Sequence, residues 1–260
     1  MSSETIIQRD RLPPRRAGFA PDAELVARRD TLAELSGADD ADRYETIAGL
    51  RCAISSPADP RAIIVHCHGG GYRHGTARGW AAFGQRLAAI TASRVILADY
   101  SLAPEFPFPV AIHEIAEVLD EVFAGRNGLP VLLSGDSAGG GLALAVVALI
   151  ARPIPLAGMV LLSPWADLRL IADSFKRCAG SDPVFSQDAA LEAVEGYLQG
   201  VAVDDPLASP LLADLAGLPP VQLHAADGEV LIDDSLLLAQ RLAMAGVRTD
   251  LHIEVGAPHV

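Results

Sequence analysis

From about residue 45 to its end, the chain alternates short apolar runs with helix-length segments, and few folds accept that pattern. "AIIVHCHG" (62–69) is a continuous apolar run of the kind buried on both faces of a sheet, and "GWAAFGQRLAAI" follows it at helical spacing. "RVILADY" then reads as strand, "VAIHEIAEVLDEVFA" as helix, "LPVLLSG" as strand and "GGLALAVVALIA" as helix. "LAGMVLLS", "PVQLHAAD" and "TDLHIEVG" complete the strands, with "DSLLLAQRLAMAG" a helix between the last two. "ETIAGLRCAI" (45–54) alternates like one outer strand. Buried strands joined through helices must run mostly parallel, with helices on both faces. An α/β fold follows, with a mostly parallel sheet; about eight strands are expected in all, seven of them in these runs.

Two segments break the alternation. Residues 1 to about 43, with the helical stretch "PDAELVARRDTLAELSG", precede the sheet, and residues 165 to about 210 interrupt it between a strand and its helix. Both are expected to cap one 260-residue domain, since half of the chain is hydrophobic and a second core is not needed. The formal charge of −13 leaves no basic stripe for phosphates, so nucleic acid and anionic membrane surfaces are excluded as expected partners in favour of a small molecule. Cys52, Cys67 and Cys178 are odd in number and unpaired in spacing, which suits free thiols in a reducing cytoplasm. The N-terminus has no apolar signal-peptide core, and the longest apolar run is too short to span a bilayer. A cytoplasmic protein without membrane insertion is expected; oligomeric state, a dimer included, is left open.

Ligands of open parallel sheets bind beyond the carboxyl ends of the strands. Here those ends carry "HGGGY", "GDSAGG", "DGEVLIDD" and "GAPH". In "GDSAGG", Gly135 and Gly139 flank Ser137 two residues to either side, which lets strand and helix approach closely while the serine takes a strained conformation. A plainer reading makes Ser137 a helix cap in a tight turn. Against it stands the company of the serine. A hydroxyl becomes a nucleophile when an imidazole takes its proton and a carboxylate fixes that imidazole's tautomer. Those parts occur in the order Ser, acid, His, and the glycines of "HGGG" bring backbone N–H groups to a developing oxyanion. Such chemistry needs no metal or organic cofactor.

"HGGGY" (68–72), "DYSLAPEFPFP" (99–109), "GDSAGGG" (135–141), "SPWADL" (163–168), "SDPVF" (181–185), "ASPLLADLAGLPP" (208–220) and "EVLIDDS" (229–235) together resemble, in order, the blocks of the hormone-sensitive-lipase family of bacterial esterases. The resemblance runs from about residue 60 to the end. It implies an α/β-hydrolase core with a helical cap, and hydrolysis of short-chain carboxylic esters through an acyl-enzyme. It also implies Ser137 as nucleophile, His259 as base, and an oxyanion hole from Gly70, Gly71 and the N–H of Ala138, with Gly69 as a further candidate. An amidase or lactonase with the same triad, or a noncatalytic small-molecule binder on this scaffold, are the rival readings.

The triad acid has two candidates. Asp227 directly follows its strand, whereas the family's block places the acid two residues before the leucine that precedes the paired acids, which is Glu229. The resemblance favours Glu229. Two departures stand out. The family's arginine and histidine in the 100–106 block are Ser101 and Phe106 here, which predicts a less braced loop, and family members continue past the histidine into a further helix whereas this sequence stops at Val260. The tail "GAPHV" is therefore expected to be mobile and this form incomplete as a catalyst. His66 and His68 are expected to be structural rather than metal ligands, with His68 bracing the glycine loop. His113 and His224 are expected to be satisfied or surface histidines, Asp136 to perturb catalysis or to support the elbow, and Asp233 and Asp234 to cap a helix. Trp165, Phe185 and Tyr197 are expected to be cap-core aromatics, one of them a candidate for the acyl pocket.

Overall fold

A computed structural model of the chain describes residues 8–35, 41, 43–150 and 155–260. Parts of the expected N-terminal cap (1–7, 36–40 and 42) and Ala151 lie outside them. Eight strands form one sheet: β1 Arg43–Ile47, β2 Leu50–Ser55, β3 Ile63–Cys67, β4 Arg94–Ala98, β5 Val131–Asp136, β6 Gly158–Leu162, β7 Val221–Ala226 and β8 Thr249–Glu254. Their spatial order is β1-β2-β4-β3-β5-β6-β7-β8. All pairings from β4 onward are parallel; β1 with β2 and β2 with β4 are antiparallel. This is the expected α/β architecture with one correction. Residues 45–54 fall on a hairpin rather than one strand, turning at Ala48 and Gly49, both at positive φ. Left-handed residues at both central positions match the twist of a two-residue hairpin.

Successive strand residues face opposite sides of the sheet. Ile63, Val65 and Cys67 of β3, with Ile96 and Ala98 of β4, enter the main core under α3 (Val110–Gly125), α4 (Ala138–Val147) and α7 (Ile232–Met244). The residues between them, Ile64, Val95 and Leu97, enter a smaller cluster with Ala88 of α2 (Ala81–Thr91) on the other face. Every residue of α4 is buried, which explains why its sequence is apolar all round rather than striped.

Three further helices lie outside this sandwich: α1 (Ala23–Leu35), α5 (Ser174–Arg177) and α6 (Gln187–Leu198). Asp22 starts α1 by accepting the Leu25 N–H, and Ser186 starts α6 by accepting that of Ala189. Among the described side chains of α1 only Leu25 is deeply buried, and the helix docks through polar contacts: Arg29 donates to Glu105 and to the carbonyls of Arg73 and Ala103.

Candidate active site

Ser137 sits between the end of β5 and the start of α4 with φ 50° and ψ −122°. A non-glycine residue in that region is strained and must be held by its surroundings. Here the hold is backbone: Ser137 N–H donates to Leu162 O, and Ser137 O accepts from Trp165 N–H, both at 2.9 Å. The flanking glycines are sterically required. A Cβ on Gly139 would lie 2.0 Å from Cys67 O and 2.4 Å from His68 O, and one on Gly135 would lie 2.3 Å from Gly139 O. Only with both side chains absent can α4 start against the ends of β3 and β5. The serine is thereby lifted to the floor of a cavity of about 850 Å³.

His259 Nε2 lies 3.0 Å from Ser137 Oγ, and its Nδ1 lies 2.6 Å from Glu229 Oε2. Glu229 is 1 % exposed, and its second oxygen accepts the Ala226 N–H at 3.1 Å. The other candidate acid, Asp227, is exposed and accepts the Gly256 N–H at 2.9 Å. Although penultimate in the sequence, His259 is only 4 % exposed, and the Phe185 ring stacks on it at 6.0 Å and 18°.

Gly70 and Gly71 line the same cavity, while Gly69 lies behind them against Asp136 and Ser137. Gly70 has φ +114°, and a Cβ there would lie 2.3 Å from His74 O, so the loop cannot carry a side chain at that point. The N–H groups of Gly70, Gly71 and Ala138 donate to no acceptor among the described residues. Beneath the loop, His68 Nδ1 lies 2.7 Å from Gly69 O, and Tyr100 donates to His68 O. Burial pushes the His68 imidazole below its usual range, so it is neutral with the proton on Nδ1 donating to Gly69. His66 is fully engaged with Ser134 and Asp136, which places Asp136 in support of the elbow. His113 lies within hydrogen-bond reach of Pro13 O, and His224 stacks on His252.

The cavity walls come from α1 and α6, with Phe185 at the side. Trp165 and Tyr197 are core aromatics as expected, Tyr197 stacking on Tyr72 at 3.9 Å; Phe185 is half-buried and faces the cavity. Two expectations are corrected. Asp233 and Asp234 do not cap α7, whose first turn has no side-chain cap. They reach across to the 166–177 segment instead: Asp234 accepts the N–H groups of Ala166 and Asp167, and Asp233 accepts that of Ser174 and pairs with Arg177. The 100–106 loop is also braced despite its two replacements. Arg29 of α1 clasps Glu105, Ser101 is held by Glu114, and Gln199 donates to Pro104 O. That brace, the stacking of Phe185 on His259, and Asp182 beneath Phe185 join segments up to about a hundred residues apart. The resemblance of the "DYSLAPEFPFP" and "SDPVF" blocks marked one side of these contacts in the sequence, and nothing in it marked their partners Arg29, Glu114 and Gln199.

Residues 64–260 match a protein family described by its alpha/beta hydrolase fold. An esterase of Acinetobacter venetianus is 34 % identical over 215 residues, covering 81 % of this chain and 71 % of that protein. The carboxylesterase NlhH of Mycobacterium tuberculosis is 31 % identical over 214 residues, covering 77 % and 66 %. The crystal structure of an esterase from the bacterial hormone-sensitive lipase family superposes with a TM-score of 0.86 at 33 % identity, covering 93 % of this chain and 84 % of the other.

Proposed function

The chain belongs to the α/β-hydrolase family that includes the bacterial hormone-sensitive-lipase esterases, and from that premise we propose that this carboxylic ester hydrolase is a serine esterase working through an acyl-enzyme on short-chain esters. The observation that carries the reading is the unbroken line from Ser137 Oγ through His259 to Glu229, with contacts of 3.0 and 2.6 Å. With Glu229 holding the proton on Nδ1, Nε2 is the free base that faces the hydroxyl. Ser137 Oγ bonds to the ester carbonyl carbon as its proton moves to Nε2. The carbonyl oxygen becomes an oxyanion in reach of the free N–H groups of Gly70, Gly71 and Ala138. Collapse breaks the carbon–oxygen bond, and His259 protonates the departing alcohol. Water then gives a proton to His259 as it attacks the acyl carbon, and His259 returns that proton to Ser137 Oγ as the acyl carbon–Oγ bond breaks, releasing the acid and free Ser137.

A complete nucleophile, base and acid argue against a noncatalytic binder. The segments 1–43 and 165–210 are proposed as one cap, a role supported by the cavity walls that α1 and α6 supply. A cytoplasmic location is proposed as well: the three cysteines are free and buried, and among the described residues no helix is long and apolar enough to cross a membrane. The test is a p-nitrophenyl ester panel of rising acyl length on wild type and Ser137→Ala. Activity should be highest on short chains and fall at least about a thousandfold in the variant. An active Ser137→Ala protein would end the mechanism, and a preference for long chains would end the substrate assignment.

A further inference from the structure

His259 is held between two neighbours that come from different parts of the chain. Glu229 holds Nδ1 from the loop between β7 and α7, and the Phe185 ring covers one face from the segment between α5 and α6. Both neighbours trace back to one side chain. Asp182 Oδ1 accepts the N–H groups of Val184 and Phe185, each at 2.9 Å, which sets the turn that presents the Phe185 ring. Its other oxygen, Oδ2, accepts the N–H of Val230 at 2.9 Å, one residue beyond the acid. Around this contact the two segments are stitched on either side of Glu229. Ser181 Oγ donates to Gly228 O at 2.7 Å, and Ser174 Oγ donates to Val230 O at 2.5 Å.

Glutamate in this position has one more rotatable bond than aspartate, so the peptide that carries it must be fixed for the carboxylate to meet Nδ1. The Ala226 N–H fixes the tip of the side chain, and the Asp182 carboxylate fixes the backbone at its root. Gly228, on the other side, adds no side chain of its own to hold the loop. We propose that Asp182 is a positioning residue for the Glu229–His259 pair, its carboxylate holding through three backbone N–H groups both the root of the acid and the ring that covers the base.

This rests on the serine-esterase reading, and the variants separate the two. Asp182→Asn keeps the size of the side chain but presents an NH₂ group to a backbone N–H in either orientation, so one side of the clamp is lost. Wild type, Asp182→Asn and Asp182→Ala are assayed on p-nitrophenyl acetate, alone and with Glu229→Gln. Rates are expressed per active site labelled by a p-nitrophenyl phosphonate, so that misfolded protein does not count. In the wild-type background kcat should fall roughly tenfold because a small misplacement of the acid weakens the base, while KM, which reads the Phe185 wall of the cavity, should change by less than kcat does. With Glu229→Gln already in place the same substitution should cost less than about twofold, since residues acting through one another are not additive. Wild-type kcat per labelled site in Asp182→Asn would overturn the proposal, as would an equal loss in both backgrounds. If Glu229→Gln itself turned over like the wild type, the acid assignment and the role of Asp182 would fall together. A crippled Glu229→Gln with an additive Asp182 effect would remove Asp182 alone.

Discussion

Replacing Glu229 by glutamine removes one charge from a buried, hydrogen-bonded triad and leaves its shape almost intact. The carboxylate makes two contacts, to Ala226 N–H through Oε1 and to His259 Nδ1 through Oε2. Both of those partners donate, so a carboxylate satisfies them and an amide cannot. If the glutamine carbonyl faces Ala226, its NH₂ meets Nδ1 and forces the proton onto Nε2, where it blocks acceptance from Ser137. If the amide is reversed, the tautomer is kept but two donors face each other at Ala226, at a cost of about 1–3 kcal/mol. In either orientation the imidazolium formed during attack has lost its counter-charge. With charge centres about 4 Å apart and an effective dielectric near 20, that attraction is on the order of 4 kcal/mol. Losing most of it lowers kcat/KM by roughly a hundred- to a thousandfold. Asp227→Asn keeps a carbonyl oxygen for the Gly256 N–H at an exposed position, so its expected change is within about twofold. The assay is p-nitrophenyl acetate hydrolysis per labelled active site, with circular dichroism to match folded content. Glu229→Gln within about threefold of wild type would refute the reasoning, and a larger loss in Asp227→Asn would give the role to Asp227.

Asp234 predicts a pH dependence of stability. Burial first, and then the neighbouring Asp167, push its carboxyl up to about 8, so the folded protein keeps a proton there that the unfolded chain loses near pH 4. Between those values the folded state binds the extra proton, so this group's contribution to stability is full at the acid end and is lost as pH rises through 8, by at most about 1.4 kcal/mol per unit. Urea midpoints at pH 5, 6.5 and 8 should therefore fall more steeply with pH in wild type than in Asp234→Asn; equal slopes would show that Asp234 does not titrate there. Gly139→Ala drives a methyl into the Cys67 and His68 carbonyls at 2.0 and 2.4 Å, and neither backbone can retreat without moving β3. Loss of soluble folded protein, or a fall of several degrees in Tm, is expected in thermal denaturation. An unchanged Tm would show that the elbow has slack.

What could be read in advance is local in sequence. The alternation of strand and helix follows from hydrophobic period, and the strained serine follows from glycines two residues to either side of it. The gathering of nucleophile, acid and base at strand ends follows from the topology that this period imposes. The hairpin at 43–55 was missed because its turn pair, Ala48 and Gly49, sits inside a run that still alternates, so period alone does not reveal the reversal. Asp233 and Asp234 show the same limit. Two acids at the start of a helix have the local signature of a cap, yet the chain brings the 166–177 segment alongside, and its otherwise unpaired N–H groups are the stronger claim on the two side chains. Asp182, Phe185 and Arg29 belong to the same class, since each takes its partner from a segment tens of residues away. Tertiary packing also set Glu229 apart from Asp227: two residues along a turn separate a buried side chain facing His259 from an exposed one facing Gly256. Period and turn chemistry act over a few residues and leave their mark in the string of letters. The partner of a polar group depends on which segments close packing brings within about 3 Å, and that is decided only when the chain has folded.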